Sequence, residues 1–216
     1  MICQKPTISQ RFMARELRVF EDKIEKVYSP LKRKLFSVIK KTDKVLEIGS
    51  GTGVNFKYYP KCLRLSVVEP NVLLHDFLRR SALKYDLRIN INTRYSENLP
   101  FRNNSFDFVV STLVLCSVND LPASLREIKR VLKKNGRYLF IEHVLDGKSA
   151  LRRGVQHIMA HSPWTFFGDN CHPNRDISLA IQKSGFSHVK IRRYYQNGLG
   201  LLGQVIKSHI IGYAAR

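Results

Sequence analysis

The stretch Val45-Leu46-Glu47-Ile48-Gly49-Ser50-Gly51-Thr52-Gly53 decides how this chain is read. Its first four residues fit a short buried strand. Five small residues follow, three of them glycine, and the residues from Val54 into Tyr58 read as the start of a helix. A strand, a glycine-rich turn and a helix in succession make a nucleotide-type site, because small residues admit a ligand against the backbone and a helix start offers free N–H groups. About 20 residues on, Glu69 ends the next apolar run, where a carboxylate can accept both hydroxyl hydrogens of a ribose. The pair of signals says more than either alone.

The spacing argues against a dinucleotide. That fingerprint reads G-x-G-x-x-G, but the position three after Gly51 is Val54, and the loop reads G-x-G-x-G preceded by Glu47. A pyrophosphate beside that carboxylate would be repelled, whereas a cationic sulfonium would be offset by it. The residues therefore favour S-adenosylmethionine over NAD. A glycine turn that holds no ligand is the plainer alternative.

Outward from the loop, short apolar runs alternate with helical segments, the pattern of a buried parallel sheet with crossover helices. Strands are expected at Val45 to Ile48, Arg64 to Val68, Arg88 to Asn92, Phe106 to Ser111 and Arg137 to His143. Helices are expected from Val54 into Tyr58, from Asn71 to Lys84 and from Leu121 to Leu132. The last of these places Leu121, Leu125, Ile128 and Leu132 on one face, and Lys133-Lys134-Asn135-Gly136 would end it with a favourable charge and a left-handed cap. A further helix is expected with Asn174 as its N-cap and a stop at Gly185. His188 to Tyr195 and Lys207 to Ala214 then read as an antiparallel pair at the sheet edge. The expected fold class is α/β: a Rossmann-like sheet, mostly parallel with an antiparallel edge strand, and helices on both faces.

The sequence has no internal repeat or linker, and 216 residues of 44% hydrophobic content suit one compact core. Residues 1–43 read as basic amphipathic helices laid over that core, and 44–216 as the α/β domain. Phe20, Ile24, Val27, Tyr28, Leu31 and Leu35 recur at helical spacing with Lys23, Lys26, Lys32 and Lys34 between them, and Ser29-Pro30 is expected to split the segment in two. Its apolar face either covers the core or cofactor, or lies on a membrane surface.

No run approaches the roughly 20 apolar residues of a membrane span. Met1-Ile2-Cys3-Gln4-Lys5-Pro6 leads into charge rather than a signal core, so neither secretion nor a membrane anchor is expected. Cys3, Cys62, Cys116 and Cys171 are scattered with no spacing that implies zinc; they read as free thiols of a reducing compartment, and no metal is expected. The excess of 37 Lys and Arg over 17 Asp and Glu leaves a net charge of +20. It admits three readings: a solvated basic surface, contact with an anionic membrane, or nucleic acid.

In their order along the chain, the loop, Val67-Val68-Glu69-Pro70-Asn71, Ser96-Glu97-Asn98-Leu99-Pro100-Phe101, Ser105-Phe106-Asp107 and Arg130-Val131-Leu132-Lys133-Lys134-Asn135-Gly136 resemble the successive motifs of class I S-adenosylmethionine-dependent methyltransferases. Further segments narrow the likeness: Asn55-Phe56-Lys57-Tyr58-Tyr59-Pro60, Thr112-Leu113-Val114-Leu115-Cys116-Ser117-Val118, Glu142-His143-Val144, Gly168-Asp169-Asn170-Cys171-His172 and Ser208-His209-Ile210-Ile211-Gly212. From about Leu35 to the C-terminus the chain is similar to the methyltransferase-like alkyl thiol S-methyltransferases of endoplasmic reticulum and lipid-droplet membranes. The resemblance implies that Glu47, Gly49, Gly51 and Gly53 shape a methionine pocket and that Glu69 holds the ribose. Ser50, Pro70 and Asn71 complete that set, Ser96 and Glu97 lie along the adenine, and Leu113 lies beside the cofactor.

Two departures stand out. Where many class I enzymes place an aspartate two residues before the Glu97 position, this chain has Tyr95, which leaves adenine recognition to backbone groups or to Ser96 and Glu97. The thiol-methylating relatives begin with an apolar membrane segment that is not read here. The expected location is therefore intracellular: cytoplasmic, or peripherally attached to endoplasmic reticulum or lipid-droplet membrane through the basic helices.

Methyl transfer is an in-line displacement in which positioning supplies much of the rate, and the acceptor need only be unprotonated. By topology, His143 at the end of its strand, and Asp169 with His172 in the loop beyond, are the titratable groups nearest the mouth. His143 and Asp169 are the catalytic candidates; a packed structural histidine and a turn or capping aspartate are the alternatives. Cys171 has no required role in methyl transfer, and Asp107 is read as fixing the start of its strand. The long connection from Asp146 to Pro173, with Trp164, Phe166 and Phe167, reads as a cover suited to a lipophilic acceptor, or as aromatics that complete the core. The favoured function is methylation of a small lipophilic acceptor, a thiol first. The alternatives are an RNA or ribosome-associated methyltransferase, which lacks its usual Asn/Asp-Pro-Pro-aromatic motif here, and a non-catalytic adenosylmethionine-binding protein.

Overall fold

The computed structural model describes residues 6–200 and 202–216, with the side chains of 16–23 and 202 outside the description. Cys3 and the side chains of Phe20 and Lys23 thus lie outside the described residues. Five parallel strands form the body of the sheet: β1 Val45–Ile48, β2 Arg64–Val68, β3 Arg88–Asn92, β4 Phe106–Thr112 and β5 Leu132–His143. Two more strands, β6 His188–Tyr195 and β7 Ser208–Ala215, complete the order β3-β2-β1-β4-β5-β7-β6. β7 runs antiparallel to both β5 and β6, which puts the expected antiparallel pair at one edge.

The chain steps from β1 outward to β3, then returns to place β4 on the other side of β1. Adjacent strands whose connections leave in opposite directions open a crevice at their carboxyl ends, and this is where such sheets bind ligands. All four residues of β1 are buried, as a strand covered on both faces requires. Alternate side chains divide between two cores: Leu46, Ile48, Val109 and Phe140 on one face, and Val45, Val67, Val110 and Leu139 on the other.

Helices flank the sheet: α1 Ile8–Phe36, α2 His75–Lys84, α3 Leu121–Val131, α4 Ala150–Ala160, α5 Trp164–Phe167 and α6 Ile177–Lys183. α1 starts with a reciprocal cap, Gln10 N–H donating to Thr7 Oγ1 (3.1 Å) and Thr7 N–H to Gln10 Oε1 (3.0 Å). It passes through Pro30 unbroken, against the expectation of two helices. Pro30 is exposed, while Tyr28, Lys32 and Phe36 on its neighbouring turns are buried, so tertiary packing holds the helix across a residue that lacks an N–H donor. Tyr28 anchors it: its hydroxyl lies 2.6 Å from His209 Nε2, whose Nδ1–H donates to the Lys207 carbonyl (3.1 Å).

Other boundaries differ for local reasons. The helix expected after Val54 is a single 3₁₀ turn, Phe56–Tyr58, because Tyr59 precedes Pro60 and is forced extended (φ −87°, ψ 149°). Asn71 caps a 3₁₀ turn, Val72–Leu74, that leads into α2. α3 ends at Val131, and Leu132 is already extended into β5; the left-handed residue is Asn135 (φ +67°), beyond the helix end rather than at it. Asp176, not Asn174, caps α6 by accepting from Leu179 N (3.0 Å). Asn174 instead contacts His157 Nδ1 (3.3 Å), and Arg175 reaches away to the Leu115 and Val118 carbonyls. Asp107 accepts from Lys44 N (2.9 Å) and pairs with Lys133, tying down the start of β4. Among the described residues no helix is long and apolar enough to cross a membrane.

Candidate active site

A cavity of about 530 Å³ opens at the carboxyl ends of β1, β2, β4 and β5, within the range of small-molecule sites. The glycine loop forms one wall. Gly49, Gly51 and Gly53 all have positive φ (+61°, +57° and +84°), and Gly49 donates its N–H back to Val68 O (2.8 Å), so the chain turns sharply off β1.

Glu69 organises this wall. Its Oε2 accepts from Gly51 N (2.8 Å) and its Oε1 from Asn71 N (2.9 Å), which ties the loop to the end of β2. Each oxygen keeps a lone pair for a diol. Burial pushes this carboxyl up to about 7, against the pull of its two backbone donors and with Asp169 adding a like charge. Gly49, Ser50, Gly51, Glu69, Pro70 and Asn71 all line the cavity.

Glu47 and Gly53 lie behind that wall, outside the cavity lining. Glu47 accepts from Asn55 Nδ2 (2.9 Å) and the Tyr59 hydroxyl (2.7 Å), so it braces the loop from beneath. Burial raises its pKa to about 7 despite those bonds. The expected orienting role of Glu47 thus has visible contacts, whereas direct contact with a ligand does not.

Ser96 and Glu97 also line the cavity: Ser96 shares a hydrogen bond with Ser124 (2.8 Å), and Glu97 accepts from the N–H groups of Asn119 (2.6 Å) and Asp120 (3.2 Å). Tyr95 lines the cavity beside them. Leu113 follows β4 with φ +58° and donates to Ile141 O (2.8 Å). The turn it begins is held by Glu142, which accepts from Ser111 Oγ (2.6 Å), Val114 N (2.9 Å) and Leu115 N (3.1 Å). Burial pushes that carboxyl up to about 8.

His143 ends β5 fully within the protein, its Nε2 3.3 Å from Cys171 Sγ. Burial opposes its charged form, yet the neighbouring Cys116 and Glu142 keep its pKa above the ordinary value. Asp169 also lines the cavity but on another side: in a left-handed turn (φ +50°), it contacts Ser9 Oγ (3.4 Å) of α1, and its field falls on Glu69. The two catalytic candidates therefore share the cavity without forming one constellation. His172 lies outside the lining, bonded to Asn170. Of the cover aromatics, Trp164 reaches the cavity, whereas Phe167 packs edge-on against Phe12 of α1 and Phe166.

The N-terminal segment was expected to cover the core or the cofactor, and the residues of α1 that reach the cavity are a finding of the fold. Gln10, Met13, Ile24, Tyr28 and Lys32 form part of the cavity wall, and Lys32 is buried in an ion pair with Glu25 (2.5 Å) that Lys57 also joins. Lys32 is buried while Lys26 and Lys34 are exposed, a tertiary fact with no local signature. Cys116 and Cys171 were discounted as scattered, and the fold brings both beside His143.

A doubly wound sheet with this glycine loop, Glu69 at the end of β2 and a cavity at the switch point defines a class I S-adenosylmethionine-dependent methyltransferase. The model of the family described as "Methyltransferase domain" matches residues 46–140. The thiol S-methyltransferase TMT1B of Rattus norvegicus is 34% identical over 194 residues, covering 82% of this chain and 78% of the relative. The thiol S-methyltransferase TMT1A of Homo sapiens is 33% identical over 178 residues, covering 80% and 70%. A crystal structure of an S-adenosylmethionine-dependent methyltransferase from Thermotoga maritima shares the fold, with a TM-score of 0.66 at 20% identity over 95% of this chain and 98% of that one. The chain belongs to the thiol S-methyltransferase family of S-adenosylmethionine-dependent methyltransferases.

Proposed function

We propose that the methyl acceptor is a small lipophilic thiol, held at the end of the cavity where apolar and thiol-bearing groups meet. The observation that carries this reading is the lining: Ile24, Leu113 and Trp164 line the same cavity as the buried group of Cys116, His143 and Cys171, with Trp164 packed against the core that holds both cysteines. An apolar lining binds a lipophilic chain, and a thiol of pKa near 8.5 loses its proton at little cost where the surroundings favour the anion. Adenosylmethionine, when bound, supplies an electrophilic methyl group. The residues present fit it: the positive-φ glycines clear the loop, and the carboxylate of Glu69 faces the cavity with lone pairs to spare.

We assign three tasks to this chain's residues. Glu69 holds the ribose, while Ser96 and Glu97 flank the adenine with Tyr95 beside them. The group around His143 favours the acceptor's thiolate. Asp169, through Ser9, closes the start of α1 over the ribose side rather than moving a proton. Calorimetric titration with adenosylmethionine and its demethylated product, followed by thiol, phenol and amine acceptors, tests this reading. Methylated product is expected with alkyl thiols; cofactor binding without any thiol turnover would overturn the acceptor assignment.

A second reading, peripheral contact with an anionic lipid surface, is supported by α4. Leu151, Val155 and Ile158 lie at i, i+4 and i+7, Leu151 and Ile158 being 82% and 72% exposed, with Arg152 and Arg153 adjacent. An apolar stripe beside basic residues is the pattern of an interfacial helix. Sedimentation with phosphatidylserine vesicles, but not with phosphatidylcholine vesicles, is the expected result. Equal recovery with both would remove the reading.

A further inference from the structure

Cys116, His143 and Cys171 come from three separate segments: the turn after β4, the last residue of β5 and the loop after α5. Their two Sγ atoms and a His143 ring nitrogen all lie within 4.8 Å of one another, with Cys171 Sγ 3.3 Å from His143 Nε2. All three residues are buried, yet all three line the cavity.

The backbone around them is braced. His172 donates its N–H to the Cys116 carbonyl (2.9 Å), which locks the two cysteine-bearing segments together. Arg175 donates to the carbonyls of Leu115 (3.0 Å) and Val118 (2.6 Å), on either side of Cys116. Gly168 lets the second loop approach: a methyl group there would lie 3.0 Å from Cys171 Cβ. Two thiols and an imidazole are thus held facing one point, as a preorganised ligand set requires.

A tetrahedral ion with bonds of about 2.3 Å to sulfur and about 2.0 Å to nitrogen sets its ligand atoms roughly 3.5 to 3.8 Å apart. The Cys171 Sγ–His143 Nε2 distance of 3.3 Å is already close to that spacing, and the remaining pairs lie within 4.8 Å. We propose that Cys116, His143 and Cys171 bind a zinc-class divalent ion as its three protein ligands, with the fourth position open to the cavity. Three protein ligands and one open position are the pattern of a zinc site that acts on substrate, and soft sulfur ligands select zinc over magnesium or calcium.

The use of that fourth position rests on the thiol acceptor proposed above; the ligand set does not. An acceptor thiol would form a sulfur–metal bond as its S–H bond breaks, displacing a metal-bound water and releasing the proton to solvent. Two cysteine thiolates and a neutral imidazole already balance the charge of the ion, so the bound sulfur keeps its nucleophilic lone pair directed at the cavity.

Metal content measured on the reduced full chain, purified without a histidine tag or chelator, tests the site apart from turnover. About one zinc per chain is expected, and cobalt-substituted protein should show tetrahedral d–d bands with sulfur-to-cobalt charge transfer. Cys116→Ser and Cys171→Ser, checked for intact folding by circular dichroism, should each weaken zinc binding by more than about 100-fold. A chain that takes up neither zinc nor cobalt while both thiols are reduced would overturn the site. So would unchanged zinc content in the double variant, or a Cys116–Cys171 disulfide that forms in preference to metal uptake. Cobalt bands that shift on adding 1-propanethiol support the open position. Bands that stay fixed while metal is bound overturn that position and leave the acceptor panel to judge the thiol reading separately.

Discussion

Gly49 has φ +61°, and a methyl group there would lie 2.6 Å from Val114 Cγ2. Gly49→Ala therefore meets both a left-handed backbone, which costs on the order of 1 to 2 kcal/mol, and a steric clash with the turn that Glu142 holds. We expect calorimetry to show cofactor binding lost in Gly49→Ala and partly restored in Gly49→Ala/Val114→Ala. No restoration would place the whole cost in the backbone. At Glu69 the same titration should show affinity reduced by about 1 to 3 kcal/mol in Glu69→Ala, since two charge-assisted contacts go; unchanged affinity would put the ribose elsewhere. Glu47 carries a pH signature. Its folded pKa is raised from 4.5 to about 7, so the folded state holds the proton more tightly than the unfolded chain. Its contribution to stability is then full below pH 4.5 and is lost as pH rises through about 7. Melting temperature should fall across that window, and Glu47→Gln should flatten the fall; an unaltered slope would acquit Glu47.

At the scale of elements, α1 is the one whose form its own residues oppose. Proline inside a helix costs about 3 kcal/mol relative to alanine, part of it regained because proline stiffens the unfolded chain. Pro30→Ala should thus stabilise the protein by about 1 to 2 kcal/mol, raising the melting temperature by roughly 2 to 8 °C for a chain of this size. A drop in melting temperature would mean that proline at position 30 is needed to seat Tyr28 and Lys32. The other elements obey local rules closely. β1, β2, β3 and β6 begin and end where alternation and turn residues predict, because a strand bounded by glycine or a turn carries its limits in its composition. The ends of helices were less legible: Leu132 was counted in α3 because it continues the apolar spacing, but strand pairing of Leu132 with Phe106 claims it for β5.

For the whole molecule, the net charge of +20 is a repulsive load on the folded state that added salt should relieve. We expect the melting temperature to rise between low and physiological ionic strength, measured by scanning calorimetry. A flat response would show that the charges are already separated by more than the screening length. The same charge motivated a nucleic-acid partner, for which salt-sensitive RNA retention is the check; its absence leaves the lipid surface and the solvated face as readings.

The sequence by itself determined the class of site. Glu47 to Gly53 and Glu69 are close enough along the chain for a strand, a turn and the next strand to place them, and their types and spacing argue against a dinucleotide before any coordinate is known. Which of them lines the cavity was a tertiary matter: Glu47 stands behind the wall because it alternates with Ile48, which lines it, and Gly53 lies behind it at the far end of the loop, where Ser81 donates to its carbonyl. Which residues of α1 reach the cavity, and the meeting of Cys116, His143 and Cys171, were decided only by the fold. Their spacing in sequence resembles no ligand motif, and they converge because the strand order places the ends of β4 and β5 side by side and returns the loop after α5 to the same edge. Periodicity reports which face of an element is buried, while convergence depends on which element lies opposite, and that is set by the packing of the whole chain.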